Sequence, residues 1–225
     1  MEWVRYHLAL GFKKVYLFDN EDVPTYEKIL SHYESSVEVI HLPGNNYEKA
    51  VQYHALDIFE NRFMKDNSTG ITHVLHIDID EFIVLKKHNN IIDFIAEYIT
   101  GNCAGICINW RYFGSSGLTE ARVTIPVTER FTYCQENGNK NIKTLFDIRY
   151  FKKFWYCHFI ECNSMNYCIK TTNGSVVSEP YNNNIDFSVI QLNHYKCKTL
   201  PEFKYISKRQ RADIKGQWNN DDNLL

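Results

Sequence analysis

The sequence predicts an α/β domain: a sheet that is parallel in its first half, completed by mixed strands and flanked by helices. Through residue 85, apolar runs short enough for strands alternate with stretches of helical periodicity. After residue 100 the segments become closely spaced, aromatic and strand-like, separated by turn signals such as ENGNKN and TTNGS. A third observation points to function. The stretch THVLHIDIDEFIVL, residues 72 to 85, carries an apolar strand into Asp78, Asp80 and Glu81. In open sheets of this kind ligands gather at the carboxyl ends of strands.

The elements follow in order. MEWVRYHLALGF reads as a helix from its first residues, with Trp3, Tyr6, Leu8 and Leu10 partly on one side and no capping residue before it. Such a beginning fits either a native start inside an older element or a trimmed one. KKVYLFDN is a short buried strand ending in Asp19 and Asn20, and residues 23 to 34 form a helix with Pro24 in its first turn. SVEVIHL is the next strand, closed by Pro43 and Gly44. Residues 47 to 65 are the longest helix, with Ala50, Tyr53, Leu56 and Phe59 or Phe63 at helical spacing. DNSTG then leads into the acidic strand. IIDFIAEYI is a helix, and AGICINWRYFG is a strand running into the loop GSSG. Near the end, TLPEFKYISKRQRADIKG is a basic helix beginning near Leu200, with Pro201 in its first turn. No repeat or linker divides the chain, so residues 1–225 form one domain with halves of about 1–100 and about 101–225.

Composition narrows the classes. A chain of 225 residues buries roughly 70% of its unfolded surface and needs no staples. Hydrophobic residues make up 44% and aromatic residues 15%, enough for a packed core. A net charge of −2 argues against nucleic acid as a partner held by a basic surface. The seven cysteines form no CxxC pair and read mostly as buried free thiols. Sequons at Asn67 and Asn173 matter only in a secretory lumen. No signal peptide or membrane segment is visible, because the apolar runs fall well short of the ~20 residues that a membrane helix needs.

Alternation along a strand would put Asp78 and Asp80 on one side and Ile79 and Glu81 on the other. Two carboxylates ~6 Å apart repel by about 3 kcal/mol at an effective dielectric of ~20. A divalent cation is the economical way to offset that, since Mg²⁺ or Mn²⁺ typically takes one or two carboxylates together with substrate phosphates. The competing reading is a loop whose acids meet helix amides or lysines.

EWVRYHLALGFKKVYLFDN, DIDEFIV, NWRYFGSSG, ERF and NHYKCKTLPEF, in this order, resemble the motif set of glycosyltransferase family 92 and its relatives of the family-2 type. The resemblance covers nearly the whole chain and implies a GT-A-like (Rossmann-like) fold. It divides the domain into a nucleotide-sugar half and an acceptor-side half. Relatives carry a further strand upstream of the EW motif, so the expected fold lacks its first strand. The resemblance makes Asp80 the direct metal ligand and sets Asp78 on the ribose or on a metal-bound water. Glu81 remains structural on the far side, paired with an Arg or Lys. His194, in NHY, completes the metal site and favours Mn²⁺ over Mg²⁺; His158 is its competitor.

Asp19 and Asn20 stand where relatives contact the nucleoside, against the plain reading of a turn cap. Gln52 aligns with a glutamine often seen on this helix in relatives and is assigned with Asp19 and Asn20 to the nucleotide donor, against the plain reading of an exposed polar helix residue. Lys143 and Lys198 are expected on phosphates, as are Lys208, Arg209 and Arg211 with less specificity. Asn109, Trp110, Gly114, Ser115, Ser116 and Gly117 resemble the segment that shapes the donor-sugar and acceptor pocket. Glu129, in VTERF, matches the position of the general base that a direct, inverting displacement requires.

The expected function is therefore metal-dependent transfer of a sugar from a nucleotide-diphosphate donor, UDP-linked and of galactose in the most specific reading. The acceptor would be a glycan, glycoprotein or other hydroxyl. The alternative is a non-catalytic nucleotide- or carbohydrate-binding module that keeps the fold. A dehalogenase-type phosphatase also places DxD after an apolar strand, but Glu81 and Phe82 stand where its second motif half should be. The compartment stays open between the cytoplasm and, for a piece of an anchored enzyme, the Golgi or secretory lumen.

Overall fold

A computed structural model describes residues 1–44, 46–65, 69–209 and 211–215. The amino-terminal half runs α1 (Glu2–Ala9), β1 (Val15–Asp19), α2 (Tyr26–Ile29), β2 (Val37–His41), α3 (Val51–Phe59), β3 (His73–Leu75), β4 (Glu81–Leu85) and α4 (Ile91–Tyr98). The second half runs β5 (Cys103–Tyr112), α5 (Val127–Arg130), β6 (Asn139–Asp147), β7 (Phe151–Tyr156), β8 (Phe159–Cys162), β9 (Cys168–Lys170), β10 (Val176–Val177), β11 (Ile190–His194) and α6 (Leu200–Ser207). The predicted α/β class holds: a seven-stranded mixed sheet is flanked by helices.

The sheet differs from expectation in its first half. β1 and β2 pair in parallel but form a sheet of their own. β3 joins the main sheet only through antiparallel pairing with β6, and β4 pairs antiparallel with β11. β5 is the spine. It pairs with β9, β6 and β11 along successive parts of its ten residues, the first eight of them buried. At Gly105 on β5 an added Cβ would lie 2.5 Å from the Leu145 carbonyl of β6, so only glycine permits that approach.

The helical expectations hold in position more than in length. α2 is one turn followed by a 3₁₀ turn at Ser31–Tyr33. α3 begins at Val51 instead of residue 47 and ends in a π turn at Glu60–Met64. α6 starts where predicted, with Pro201 in its first turn and a capping box between Thr199 and Glu202. All seven cysteines are free, and Cys103, Cys107 and Cys157 are buried. The sequon asparagine Asn67 lies outside the described residues, while Asn173 stands in an exposed turn. Among the described residues no helix is long and apolar enough to cross a membrane.

Packing converges on the acidic segment from both sides. Ile83 joins Ile106, Ile108, Leu145 and Leu192 in the main core. Phe82 turns the other way into a second cluster with Phe113, Phe131 and Tyr195. On the edge that β11 leaves free, α1 meets β4 with side chains: Trp3 Nε1 donates to the Glu81 carbonyl (2.7 Å) and Tyr6 Oη to the Ile83 carbonyl (2.6 Å). Helical spacing of three residues thus matches a strand spacing of two, and α1 does the work of an edge strand.

Candidate active site

The continuous strand predicted over residues 72–85 is broken at the acids. β3 ends at Leu75 and β4 begins at Glu81, and between them the chain turns, closed by a hydrogen bond from Glu81 N–H to the Asp78 carbonyl (3.0 Å). The reverse bond, from Asp78 N–H to Glu81 Oε2, is 2.8 Å. Strand alternation therefore does not apply here. Glu81 lies beneath the turn with its side chain 0% exposed, while Asp78 keeps 37% and Asp80 20% of theirs. The sequence reading placed Glu81 on a far side of the strand; the turn brings it into the cluster.

Asp78 has a cation already. Lys143 of β6, fully buried, sets its Nζ 3.2 Å from Asp78 Oδ2 and 3.8 Å from Glu81 Oε2. Gln52 of α3 donates from Nε2 to Asp78 Oδ1 at 2.9 Å. Burial pushes the Asp78 carboxyl up, but Lys143, His76 and His194 together hold it below the usual carboxylate range. Burial pulls Lys143 down, and Asp78 and Glu81 more than reverse that. For Glu81 burial prevails over Lys143 and drives its pKa well above the usual value. Lys143, expected on phosphates, is thus enclosed under the acids, and its ammonium faces Asp78.

Asp80 faces the other partner. The register of β11 against β4 sets His194 opposite Glu81, and Tyr195 N–H donates to the Asp80 carbonyl at 2.9 Å. His194 Nε2 stands 3.6 Å from Asp80 Oδ1, too long for a good hydrogen bond. Its ring packs against Trp110 and Tyr112 at 4.5 and 5.1 Å, and its buried Nδ1 has no hydrogen-bond partner. Burial raises the Asp80 carboxyl, yet His194 and Lys198 leave it below its usual value. The charge of Lys198, predicted near phosphate, is thus felt at Asp80.

His158, the competing histidine, sits one ring further on. It packs on Trp110 at 5.1 Å and bonds the Ile142 carbonyl through Nδ1. Burial, with Lys143 beside it, lowers its pKa to about 4.

Other predicted residues have structural duties. Asp19 is 2% exposed and accepts backbone N–H groups of Glu21, Thr25 and Tyr26. Asn20 donates to the carbonyls of Leu42 and Gly44. Both make the turn-cap contacts that the competing reading described. Asn109 and Trp110 take opposite faces of β5. Trp110 lies against His194, with its indole Nε1 buried and unpartnered. Asn109 instead bonds the carbonyls of Asn139 and Asn182 on the face away from Trp110 and His194.

In the GSSG loop, Gly114 N–H bonds the Tyr133 carbonyl, and Ser116 Oγ accepts from Thr132 and Tyr133. Ser115 O receives Leu118 N–H, and Gly117 has φ +75°. The loop is a turn fastened to residues 132–133. Glu129 is exposed on α5, and its neighbour Arg130 pairs with Glu202 instead. Arg209 pairs with Glu21 and Arg211 with Asp213, while Lys208 caps α6.

The residues that sequence reasoning underrated are Glu81, Lys143 and His76. The one signal for Lys143 was a lysine inside the apolar stretch NIKTLF. Among the described residues no three His, Cys, Asp or Glu side chains are arranged to hold a metal by themselves. Asp80 oxygen and His194 nitrogen nevertheless fit a two-donor site, open to oxygens from a diphosphate, as Mg²⁺ and Mn²⁺ commonly bind. The unpartnered Nδ1 leaves His194 free of any bond that would fix its ring elsewhere.

The segments that suggested a family also touch one another. Glu2 caps α5 through Val127 N–H (2.7 Å) and Thr128 N–H (3.1 Å), Arg130 grips Glu202 bidentately, and Phe82, Phe113, Phe131 and Tyr195 share a core. The sequence model of glycosyltransferase family 92 matches residues 1–223. The chain belongs to glycosyltransferase family 92. No curated protein matches it. As a family 92 glycosyltransferase it moves a sugar from a nucleotide-sugar donor to a glycan acceptor. The Asp78–Glu81 turn with His194 is the candidate place for that chemistry.

Proposed function

We propose that this family 92 enzyme is a metal-dependent, inverting transferase that uses a UDP-linked sugar, with UDP-galactose the first donor to test. The observation that carries the reading is the pair formed by Asp80, on the turn, and His194, at the end of β11, 3.6 Å apart, with Asp78 of the same turn neutralised from below by Lys143. Bound there, Mn²⁺ or Mg²⁺ would draw charge from the diphosphate as it leaves. Asp80 and His194 would hold the cation, and Asp78, steadied by Gln52, would face ribose or metal-bound water. Lys198, whose charge reaches Asp80, would attract the diphosphate. Trp110 and the Gly114–Gly117 turn would wall the sugar pocket. Glu129, exposed on a helix held by Glu2 at one end and Arg130 at the other, would take the acceptor proton.

The test is transfer from UDP-galactose and a panel of other UDP-sugars, with Mn²⁺ and with chelator. Asp80→Ala should lower turnover at least 100-fold and abolish the response to added Mn²⁺, with thermal stability kept. Unchanged turnover in Asp80→Ala would remove the metal assignment. Tight UDP binding by the native enzyme without transfer to any acceptor would favour the binding-module reading.

A further inference from the structure

We propose that Lys143 is a positioning residue of the transfer reaction: a counter-cation inside the fold that fixes Asp78 and, through Glu81, the turn that presents Asp80. The inference rests on reading the Asp78–Glu81 turn as the diphosphate and metal site. It gives Lys143 a different part from direct contact with phosphate.

The lysine is enclosed beneath the acids. Lys143 comes from β6, which pairs with β5, and its side chain has no exposure. Its Nζ reaches Asp78 Oδ2 at 3.2 Å and Glu81 Oε2 at 3.8 Å. The same Glu81 oxygen accepts Asp78 N–H at 2.8 Å, so one carboxyl group links the lysine to the turn backbone. Gln52 occupies Asp78 Oδ1 at 2.9 Å. Both oxygens of Asp78 therefore have hydrogen-bond partners from the protein, whereas among the described residues the one side chain paired with Asp80 is His194, at 3.6 Å.

Two consequences follow. Asp78 contributes orientation and leaves inner-sphere binding to Asp80 and His194. A fully enclosed ammonium can influence a ligand only through the acids above it, because burying an ion is costly unless its partners stay in place.

The experiment measures UDP affinity by calorimetry, with and without Mn²⁺, in native enzyme, Lys143→Met, Asp78→Asn and the double variant. It also records the imidazole ¹⁵N resonances of His194. If Lys143 acts through Asp78, each single variant weakens Mn²⁺-dependent UDP binding about tenfold, and the double variant is no weaker than Asp78→Asn alone. The His194 resonances move in Lys143→Met, because Asp80 shifts against the ring.

Three results would overturn the proposal: unchanged affinity in Lys143→Met, additive losses in the double variant, or an equal loss without Mn²⁺. The last would restore direct phosphate contact. Should Lys143→Met fail to fold, Lys143→Met/Glu81→Gln removes the cation together with one buried acid. That pair should fold and still show the weakened Mn²⁺-dependent affinity, while native affinity in it would reject the role. If the native enzyme binds UDP neither with nor without Mn²⁺, the donor-site reading falls. The His194 resonances of the variants then decide the lysine's part alone, since unmoved resonances would refute it.

Discussion

Asp19 shows how one carboxylate can look functional in sequence and hold a turn in the fold. It ends β1, where ligands gather, yet it is buried and its oxygens accept three backbone N–H groups. Burial raises its pKa, but those amides hold it below its ordinary value. The ionised form is thus favoured in the folded state, so its stabilising effect is present at neutral pH and fades as pH falls through the acidic range. Asp19→Ala should lower unfolding free energy by about 1–3 kcal/mol, read from urea midpoints. Donor affinity at saturating Mn²⁺ should stay within twofold once folding is corrected for. A large loss of affinity with full stability would reinstate the nucleoside contact. By the same logic Asn109, bonded across the far face of β5, should affect folding more than catalysis.

At the level of elements, α1 and β4 form the least obvious pairing. His7 is 2% exposed; its Nδ1 lies 2.9 Å from the Trp3 carbonyl, and its Nε2 receives Ile83 N–H at 3.5 Å. That arrangement suits the neutral ring, with a proton on Nδ1 and none on Nε2. Burial lowers its pKa to about 4 against an ordinary 6.5. Between those values the unfolded chain takes up a proton that the folded chain refuses, so stability falls as pH drops through this window. His76 and His158 also titrate near 4, both chiefly through burial. The expected outcome is a steep loss of stability from pH 6.5 to 4, of which His7 contributes up to roughly 3 kcal/mol. His7→Gln should flatten that slope by about a third, measured as urea midpoints at several pH values; an unaltered slope would remove His7 from the account.

Legibility divides along a physical line. The strands of KKVYLFDN, SVEVIHL and AGICINWRYFG, and the start of α6 at Leu200, were readable because periodicity and capping are local. The burial of the acids over a lysine was not, since Lys143 is 65 residues from Asp78 and hidden in a strand. Strand order was equally hidden: nothing local tells β3 to pair with β6 in place of β1. Asp78, Asp80 and His194 were legible as types in an ordered motif set, and the structure brings them together. Glu81 pairs with a lysine as expected, Lys143, but on the same side as Asp78, because alternation does not extend through a turn.

On the scale of the whole molecule, the family segments meet one another in the fold. One tie among them joins α5 to α6, Arg130 to Glu202, with side chains 4% and 14% exposed. Glu202 also closes the capping box of α6 through Thr199, so one carboxylate serves a helix start and a helix-to-helix clamp. Burial raises its pKa, and Arg130 and Thr199 outweigh that to keep it ionised. Removing one partner leaves the other charge enclosed, so Arg130→Met should cost about 3–5 kcal/mol, whereas removing both should cost less than the sum. The position of the clamp also predicts a kinetic effect. α5 carries Glu129, and α6 follows directly after Lys198, so loosening the pair moves the candidate base and a candidate phosphate contact together. The double variant Arg130→Met/Glu202→Gln should therefore regain much of the lost stability while its kcat stays at least tenfold below native, with the Mn²⁺ affinity of the Asp80–His194 pair retained. Recovery of kcat along with stability would make the clamp purely structural.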